Sequence, residues 1–399
     1  MTLTDLTNFE SSDFLEEHIQ STLAFYAPRA FAPDGGFYGC FLDNGECYAP
    51  SVRQLVASCR YVFNYATSYR LSNDPQHLEW AEWGLDYLET AHKQANGSYA
   101  WQIEDGKVTD SRVMAYGHAF ALLAAASCVS AGIDRAADTI NNVYDFMEQY
   151  FWDADGSAYY DERDASLEIL SPYRGQNANM HMCEALLAAW QATSDVRFLD
   201  RAEQLAERFA FDLAAQSEGR IWEHYDAAWN VDMNYNIDKP NDRYKPWGFQ
   251  PGHQTEWAKL LLILNGERPN EKWVSKARTL FDWAMKTGWD DRYGGLVYGV
   301  GPDGKVCVDE KHFWVQSESF ATAWRLYSVT GETKYREDYN RLWTWSWTHM
   351  VDHEHGAWFR VRNRDGSARD NKKSPHGKTD YHTMGACWDV LSVMEQVSS

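Results

Sequence analysis

Four histidines recur at comparable places along the chain, each near the start of an apolar segment with helical periodicity. They are His118 in AYGHAFALLAAA, His181 in NANMHMCEALLAAW, His253 in QPGHQTEWAKLLLIL and His382 in TDYHTMGACWDVL. Arg53 and Gln316 stand at the corresponding places in SVRQLVASCRYVF and FWVQSESFATAW. Because burying four imidazoles together without a purpose would be costly, this set predicts one shared functional site.

Imidazoles beside a guanidinium suit proton transfer next to a sugar carbonyl. The C2 proton of an open-chain aldose is weakly acidic, so a base of near-neutral pKa can remove it while cationic or N–H donors stabilise the enediolate oxygen. Return of the proton to C1 gives a ketose, and return to the opposite face of C2 gives the epimer. The pattern therefore predicts a sugar isomerase or a sugar epimerase.

A metal site is one alternative for two of these histidines. Glu184 follows His181 and Glu256 follows His253 by three residues, which places each pair on one helical face. Carboxylate-bridged di-iron proteins use the same spacing, but there the Glu comes first and further Glu ligands are needed. A hydrogen bond that fixes the His tautomer explains the spacing equally well. We therefore expect neither a metal nor a cofactor.

Two other classes of protein remain open. A glycoside hydrolase would need two carboxylic acids flanking the scissile bond, and the 58 Asp and Glu residues provide many candidates. A non-catalytic sugar-binding protein would use aromatic faces, and the chain contains 19 Trp. The recurring positions hold His and Arg rather than two acids, which disfavours the hydrolase. The binding protein would leave the four histidines without a role.

A repeated turn indicates how the chain positions these residues. A Gly preceded by a polar or turn residue and followed by aromatic residues recurs six times, at Gly35, Gly97, Gly156, Gly219, Gly294 and Gly356. The sequence between these turns has helical periodicity, so each unit fits two helices. Six such hairpins bury their apolar faces only by stacking, and closure into a ring removes the exposed ends. We predict an all-α (α/α)6 barrel that forms a single domain over residues 1–399.

The longest interval between these turns contains a segment of unusual composition. Residues 226–252, DAAWNVDMNYNIDKPNDRYKPWGFQPG, are rich in Asn, Asp, Pro and Gly. Such residues favour a loop, and a long loop in a compact domain is usually functional. We expect this loop to lie over the mouth of the barrel.

Net charge limits the partners of the protein. The chain has 37 Lys and Arg against 58 Asp and Glu, which leaves a formal net charge of −21. Nucleic acids and anionic membrane surfaces attract basic proteins, so neither is an expected partner. The same negative field favours neutral sugars over sugar phosphates and sulfonates.

Cysteine usage and the N-terminal segment bear on location. The seven Cys are scattered and form no CxxC pair, which is typical of reduced thiols. The segment MTLTDLTNFESSDFLEEHIQ lacks the basic and apolar regions of a secretory signal, and the apolar run at 119–129 is too short to span a bilayer. We expect a cytoplasmic protein.

Four segments together resemble a known family. NANMHMCEALLAAW, PWGFQPGHQTEWAKLLL, FWVQSESFATAW and TDYHTMGACWDVL are similar to hallmark segments of the N-acylglucosamine 2-epimerase superfamily, and the similarity runs through essentially the whole chain. With YGHAFALLAAA added, the combination most resembles the mannose isomerase branch and the related sulfoquinovose-pathway aldose–ketose isomerases. GHQTE at 252–256 departs from the GHDIE of cellobiose 2-epimerases, which puts a disaccharide epimerase in doubt.

The resemblance implies an (α/α)6 barrel without a cofactor that isomerises D-mannose to D-fructose, and D-lyxose to D-xylulose, through a cis-enediol. A sugar 2-epimerase of the N-acylglucosamine or cellobiose type is the alternative. The expected partner is a monosaccharide, and the protein is expected to be a monomer or a homodimer.

The resemblance also implies roles for individual residues. His253 and His382 become the acid/base pair, with His382 moving the proton between C2 and C1 and His253 assisting ring opening or proton shuttling. The other implied residues would hold or surround the sugar: Arg53 at the C1 and C2 oxygens, His118 and His181 in binding, Glu184 and Glu256 in orientation, and Trp314, Gln316 and either Tyr48 or Tyr116 in the pocket wall.

Overall fold

The computed structural model of the chain describes residues 7–375 and 377–398, with side chains as far as Met394. The first six residues of the N-terminal segment and the predicted domain limits at 1 and 399 lie outside the described residues. Within the described part, none of the helices combines the length and the apolar character needed to cross a bilayer.

The described residues form an all-α fold in which the β-structure is limited to short strands. The α-helices are α1 (Ser12–Tyr26), α2 (Leu55–Ser72), α3 (Pro75–Tyr87), α4 (Ala115–Ser130), α5 (Ala136–Tyr150), α6 (Gln176–Thr193), α7 (Val196–Glu207), α8 (Pro251–Glu267), α9 (Glu271–Gly288), α10 (Phe313–Thr330), α11 (Thr333–His349) and α12 (Tyr381–Ser398). Single π-helical stretches continue α3 (Leu88–His92) and α7 (Arg208–Leu213), and a 3-10 turn (Ala214–Ser217) follows the second.

The helices pack as an inner and an outer set. Helices α2, α4, α6, α8, α10 and α12 contact one another in that order, and α12 contacts α2, so the inner set forms a ring of contacts. Each inner helix from α2 to α10 also contacts the outer helix that follows it, and α12 contacts α1. The described residues therefore form five hairpins of consecutive helices, whereas the sixth pair predicted as a hairpin joins α12 to α1.

The two sets differ in sequence because they differ in burial. Inner helix α4 is covered on all sides, and its apolar residues run almost without interruption from Ala115 to Cys128. Outer helix α7 buries only one stripe, which consists of Phe198, Leu199, Ala202, Leu205 and Ala206. The side chains of Asp74, Asp195 and Asn270 cap the outer helices α3, α7 and α9.

Short antiparallel strands lead into several inner helices. The strands are β1 (Val52–Gln54), β2 (Gln102–Glu104), β3 (Lys107–Asp110), β4 (Val113–Met114), β5 (Trp152–Asp153), β6 (Ala158–Tyr159), β7 (Glu162–Arg163), β8 (Arg174–Gly175), β9 (His224–Tyr225), β10 (Gly299–Val300), β11 (Val306–Val308), β12 (Lys311–His312) and β13 (Val361–Arg362). The pairs are β1–β2, β2–β3, β4–β7, β5–β6, β8–β9, β10–β11 and β12–β13. Because β1, β4, β8 and β12 end directly before α2, α4, α6 and α10, they fix where those helices begin.

The fourth residue of four inner helices holds the preceding Gly turn. In each case a side-chain atom accepts a hydrogen bond from a backbone N–H two residues after the turn Gly, or three residues after it at Gly156. The pairs are His118 with Tyr99 (3.2 Å), Asn179 with Tyr159 (2.7 Å), Gln254 with Ile221 (3.0 Å) and Gln316 with Leu296 (2.9 Å). The repeat in the sequence therefore reflects a repeated structural contact.

Most of the aromatic excess serves packing. Five Trp side chains are fully buried, namely Trp222, Trp257, Trp273, Trp343 and Trp358. Trp345 lies against the turn at Gly294, where φ is +73° and a Cβ atom would come within 2.5 Å of the indole ring. Glycine is needed there for both its conformation and its small size.

Candidate active site

A cavity of about 380 Å³ lies at the N-terminal ends of the inner helices. Its lining includes the second residue of four helices and the third residue of α8, namely Tyr116 of α4, Asn177 of α6, His253 of α8, Trp314 of α10 and His382 of α12. The long loop at 226–252 contributes Asn241, Arg243, Tyr244 and Pro246 to the lining. The predicted loop therefore forms part of the cavity wall, although its last two residues, Pro251 and Gly252, begin α8.

His382 is held between an acid and a cation. Its Nδ1 lies 2.7 Å from Oε1 of Glu318, and its Nε2 lies 3.3 Å from the guanidinium of Arg60. Arginine can only donate, so we assign the proton to Nδ1 and leave Nε2 as an acceptor. Burial and the charge of Arg60 hold the pKa of His382 well below its usual range. The imidazole is therefore neutral at neutral pH and able to take a proton.

His253 has a similar arrangement with another acid. Its Nδ1 lies 2.9 Å from both carboxylate oxygens of Glu223. The amide of Gln176 donates to the same carboxylate at 2.9 Å and accepts from the indole of Trp257 at 2.8 Å. Nε2 of Gln176 also lies 2.9 Å from Nδ1, but it already donates to Glu223. We therefore assign the proton to Nδ1, which donates to the Glu223 carboxylate and leaves Nε2 of His253 as an acceptor.

Trp314 connects the two histidines. Its ring centroid lies 4.8 Å from that of His253 and 6.0 Å from that of His382. Both imidazoles line the same cavity, although they are far apart in the sequence. A small polar molecule bound over the indole would face both rings.

A further cluster of acids lies beside His382. Nδ1 of His181 is 2.9 Å from Glu184 and 3.8 Å from Glu256, and the hydroxyl of Tyr381 donates to Glu184 at 2.6 Å. Glu256 lines the cavity, and its Oε2 is buried without a hydrogen-bond partner among the described residues. Burial and the nearby charge of Glu318 raise the pKa of Glu256 well above its usual range. Glu256 can therefore act as a neutral hydrogen-bond donor.

These acids and histidines also include two sets of potential metal ligands. The donor atoms lie within 4.8 Å of one another in the set of His181, Glu184 and Glu256 and in the set of Glu256, Glu318 and His382. However, the ammonium of Lys259 lies 2.5 Å from Glu318, and the guanidinium of Arg60 lies beside His382. These two cations offset part of the negative charge that would attract a dication to the cluster. The donor set favours proton chemistry.

Arg53 does not reach the cavity. Its guanidinium donates to the carbonyl of Pro50 at 2.6 Å, pairs with Asp34 at 2.8 Å and stacks on Tyr38. The structure corrects the expected placement, because Arg53 lies in β1 before the helix rather than on its inner face. Of the cations that line the cavity, Arg60, the sixth residue of α2, is the one that lies beside Nε2 of His382.

His118 and Gln316 also lie outside the cavity, which corrects their expected placement. His118 uses Nδ1 on the carbonyl of Met114 at 2.8 Å and Nε2 on its turn, so both of its nitrogens are engaged. The amide of Gln316 bonds to both backbone groups of Leu296. These two side chains hold backbone in place and have no free polar atom to offer a substrate.

The remaining candidates divide between the cavity wall and its surroundings. Tyr116 and Trp314 line the cavity, as do His181 and Glu256. Glu184 and Tyr48 are absent from the lining formed by the described residues. Glu184 is hydrogen-bonded to His181, which lines the cavity, and to Tyr381.

Three charged residues that contact His253 or His382 were not predicted from the sequence, namely Arg60, Glu223 and Glu318. Two of these could have been found by position: Arg60, His181, Glu256 and Glu318 are each the sixth residue of an inner helix. A charged residue at this position interrupts an otherwise buried helical run. Glu223 lies in the turn segment EGRIWEHY and carries no comparable signal.

Comparison with known proteins places the chain in a family. A family model described as N-acylglucosamine 2-epimerase (GlcNAc 2-epimerase) matches residues 36–386. A D-mannose isomerase of Marinomonas mediterranea is 46% identical over 97% of this chain and 98% of its own length. A D-mannose isomerase of Thermobifida fusca is 33% identical over 84% of this chain and 83% of its own.

A solved structure agrees with these matches. The crystal structure of a D-mannose isomerase superposes with a TM-score of 0.96 at 46% identity, covering 97% of this chain and 99% of the other. Both the sequence and the fold therefore match over nearly the whole chain. The protein belongs to the N-acylglucosamine 2-epimerase family.

Proposed function

We propose that this protein is a cofactor-independent aldose–ketose isomerase that interconverts D-mannose and D-fructose. The observation that carries the proposal is His382, a buried neutral imidazole whose Nε2 accepts a proton beside the Arg60 guanidinium. The 46% identity to a D-mannose isomerase over nearly the whole chain supports the choice of sugar. We further propose that the ring of inner helices is an (α/α)6 barrel and that residues 1–399 form one catalytic domain.

The proton transfer follows from the positions of the side chains. Nε2 of His382 removes the C2 proton of the open-chain aldose and returns it to C1, while the hydroxyl proton on O2 passes to O1, and together these transfers convert the aldose to the ketose. Arg60 donates to the oxygens on C1 and C2 as negative charge develops on the enediolate. Glu256 donates a hydrogen bond to the same intermediate, since it is protonated and lines the cavity.

His253 is proposed to open the sugar ring. Ring opening needs a proton to leave the C1 hydroxyl and another to reach the ring oxygen. His253 lines the cavity with Nε2 as an acceptor, while Glu223 stabilises the imidazolium that forms when the proton is taken up. Trp314 holds the two histidines around the same sugar.

Epimerisation at C2 is the second candidate, because two imidazoles line one cavity and could act on opposite faces of C2. The proposed reaction is tested by incubating the protein in deuterated water with D-mannose, D-glucose, N-acetylglucosamine and cellobiose, with products identified by NMR. We expect D-mannose to give D-fructose with deuterium at C1. Deuterium at C2 of an epimerised aldose would indicate an epimerase. Release of glucose from cellobiose would indicate a hydrolase, and no change in any of the sugars would indicate a binding protein.

The same reaction, repeated after exhaustive chelation, tests the metal alternative. We expect the rate of fructose formation to be unchanged by EDTA. Loss of activity on chelation, with recovery on adding zinc or manganese, would assign the acid cluster to a metal.

Separate substitutions of Arg60 and Arg53 test which of the two arginines contacts the substrate. Arg60→Ala is expected to lower kcat/KM for D-mannose by about 10²-fold, because it removes a donor to the developing enediolate. The matched variant Arg53→Ala is expected to lower the melting temperature with little change in kcat/KM, because Arg53 holds only backbone and Asp34. Steady-state kinetics and thermal melts of both variants provide the measurement. A large loss of kcat/KM in Arg53→Ala, with little change in Arg60→Ala, would mean that Arg53 contacts the substrate.

A further inference from the structure

A buried lysine lies behind the proposed catalytic base. Lys259 of α8 is 5% exposed, and its ammonium lies 2.5 Å from Oε2 of Glu318 on α10. The other oxygen of Glu318 lies 2.7 Å from Nδ1 of His382 on α12. A continuous line of hydrogen bonds therefore runs from Lys259 through Glu318 to His382. Lys259 does not line the cavity, and its hydrogen-bonded path to His382 passes through Glu318.

We propose that Lys259 is a positioning residue that keeps Glu318 ionised and thereby holds His382 in the tautomer whose Nε2 accepts the substrate proton. The inference rests on the proposed isomerase function. An ionised Glu318 can only accept, so it selects the Nδ1–H form of His382. A protonated Glu318 would donate to Nδ1 instead, and the proton would then sit on Nε2, where it blocks the base.

The surrounding charges explain why a cation is needed at this point. Glu318 is 2% exposed and faces Glu256 from α8 and Glu184 from α6, both acids. Burial raises the pKa of Glu318, the charge of Glu184 raises it further, and Lys259 opposes both effects. Loss of Lys259 would remove this opposition, so the pKa of Glu318 would rise further.

The other charged groups around the cluster do not replace Lys259. His181 of α6 bonds to Glu184, and Arg60 of α2 lies beside His382 rather than Glu318. Asp389 of α12, which also influences Lys259, is paired with Arg325 at 2.6 Å. Lys259 is therefore the cation that contacts Glu318 among the described residues.

The test compares the pH dependence of two variants that remove different members of the line. Lys259→Met removes the charge and keeps the length of the side chain, whereas Glu318→Gln removes the ionisable acid. At neutral pH both are expected to lower kcat for D-mannose by at least about 10-fold. The acidic limb of the kcat profile of Lys259→Met should move to higher pH by about 1 to 3 units, because Glu318 must now ionise without a partner. The kcat of Lys259→Met should therefore recover at high pH. The kcat of Glu318→Gln should stay low there, because this variant has no acid at position 318 to ionise.

A purely structural role for Lys259 would lower kcat equally at every pH, and an acidic limb at its wild-type position would overturn the proposal. Imidazole 15N chemical shifts of His382 provide a readout that needs no activity. We expect Nδ1–H in the wild-type protein and Nε2–H in Lys259→Met at neutral pH. An Nε2–H form in the wild type would overturn the proposal even if the variant fails to fold. Failure of the wild type to convert D-mannose would instead reject the proposed function.

Discussion

His382→Ala is expected to lower kcat for D-mannose by about 10³- to 10⁴-fold, which is the upper part of the range for general acid–base catalysis. The variant loses the base that moves the proton between C2 and C1, and no other imidazole bonded to Glu318 can replace it. The rate of fructose formation, followed with incorporation of deuterium at C1, measures the loss directly. Both signals should fall together, since one proton transfer produces both.

The matched control for this variant is His355→Ala. His355 lies in the turn before the last inner helix, its side chain is 39% exposed, and it is absent from the cavity lining. We expect this variant to retain wild-type kinetics, and both variants to keep the wild-type far-UV circular dichroism. If His382→Ala is folded and isomerises D-mannose at a near-normal rate, the assignment of the base is wrong.

His253→Ala is expected to lower kcat by about 10²- to 10³-fold. Ring opening then lacks its proton acceptor, and the imidazolium that Glu223 would stabilise no longer forms. The measurement is the steady-state rate with D-mannose, compared with that of Glu223→Gln. The second variant keeps the imidazole but loses the charge beside it, so we expect an intermediate loss.

The comparison of these two variants separates orientation from catalysis. A loss in Glu223→Gln as large as that in His253→Ala would mean that the imidazole works only beside an ionised carboxylate. Near-normal turnover by folded His253→Ala would remove His253 from the mechanism and leave His382 as the sole histidine that transfers protons.

The helical periodicity and the Gly turns were sufficient to predict paired helices. In the structure, five inner helices pack against the outer helix that follows them, and the sixth pair joins α12 to α1 from the other end of the described chain. Local composition also predicted the loop at 226–252, because Asn, Asp, Pro and Gly disfavour regular structure wherever they cluster. Residue types predicted His181, His253 and His382, three of the four imidazoles with which the described residues line the cavity, but not His312. These features depend on near neighbours in the chain, and the amino-acid sequence determines them directly.

The face of each inner helix was decided only by the tertiary structure. Successive residues in a helix are rotated by about 100°, so a histidine two positions earlier points elsewhere. His118, the fourth residue of α4, holds a turn, whereas His181, the sixth residue of α6, lines the cavity. On α10, Gln316 is likewise the fourth residue and holds a turn, whereas Glu318 is the sixth residue and bonds to His382. Alignment by the turns located the helices but did not resolve their rotation.

The side chains that pair with the histidines also could not be predicted from the sequence. Glu223 and Glu318 are two of 58 acidic residues, and nothing adjacent to them marks their pairing with His253 and His382. Arg60 and Lys259 become neighbours of His382 and Glu318 only when α2, α8, α10 and α12 come together in the inner ring. The sequence therefore determined which helices form and which residue types they present. Which charges meet was decided by packing, because ion pairs between distant segments exist only in the folded chain.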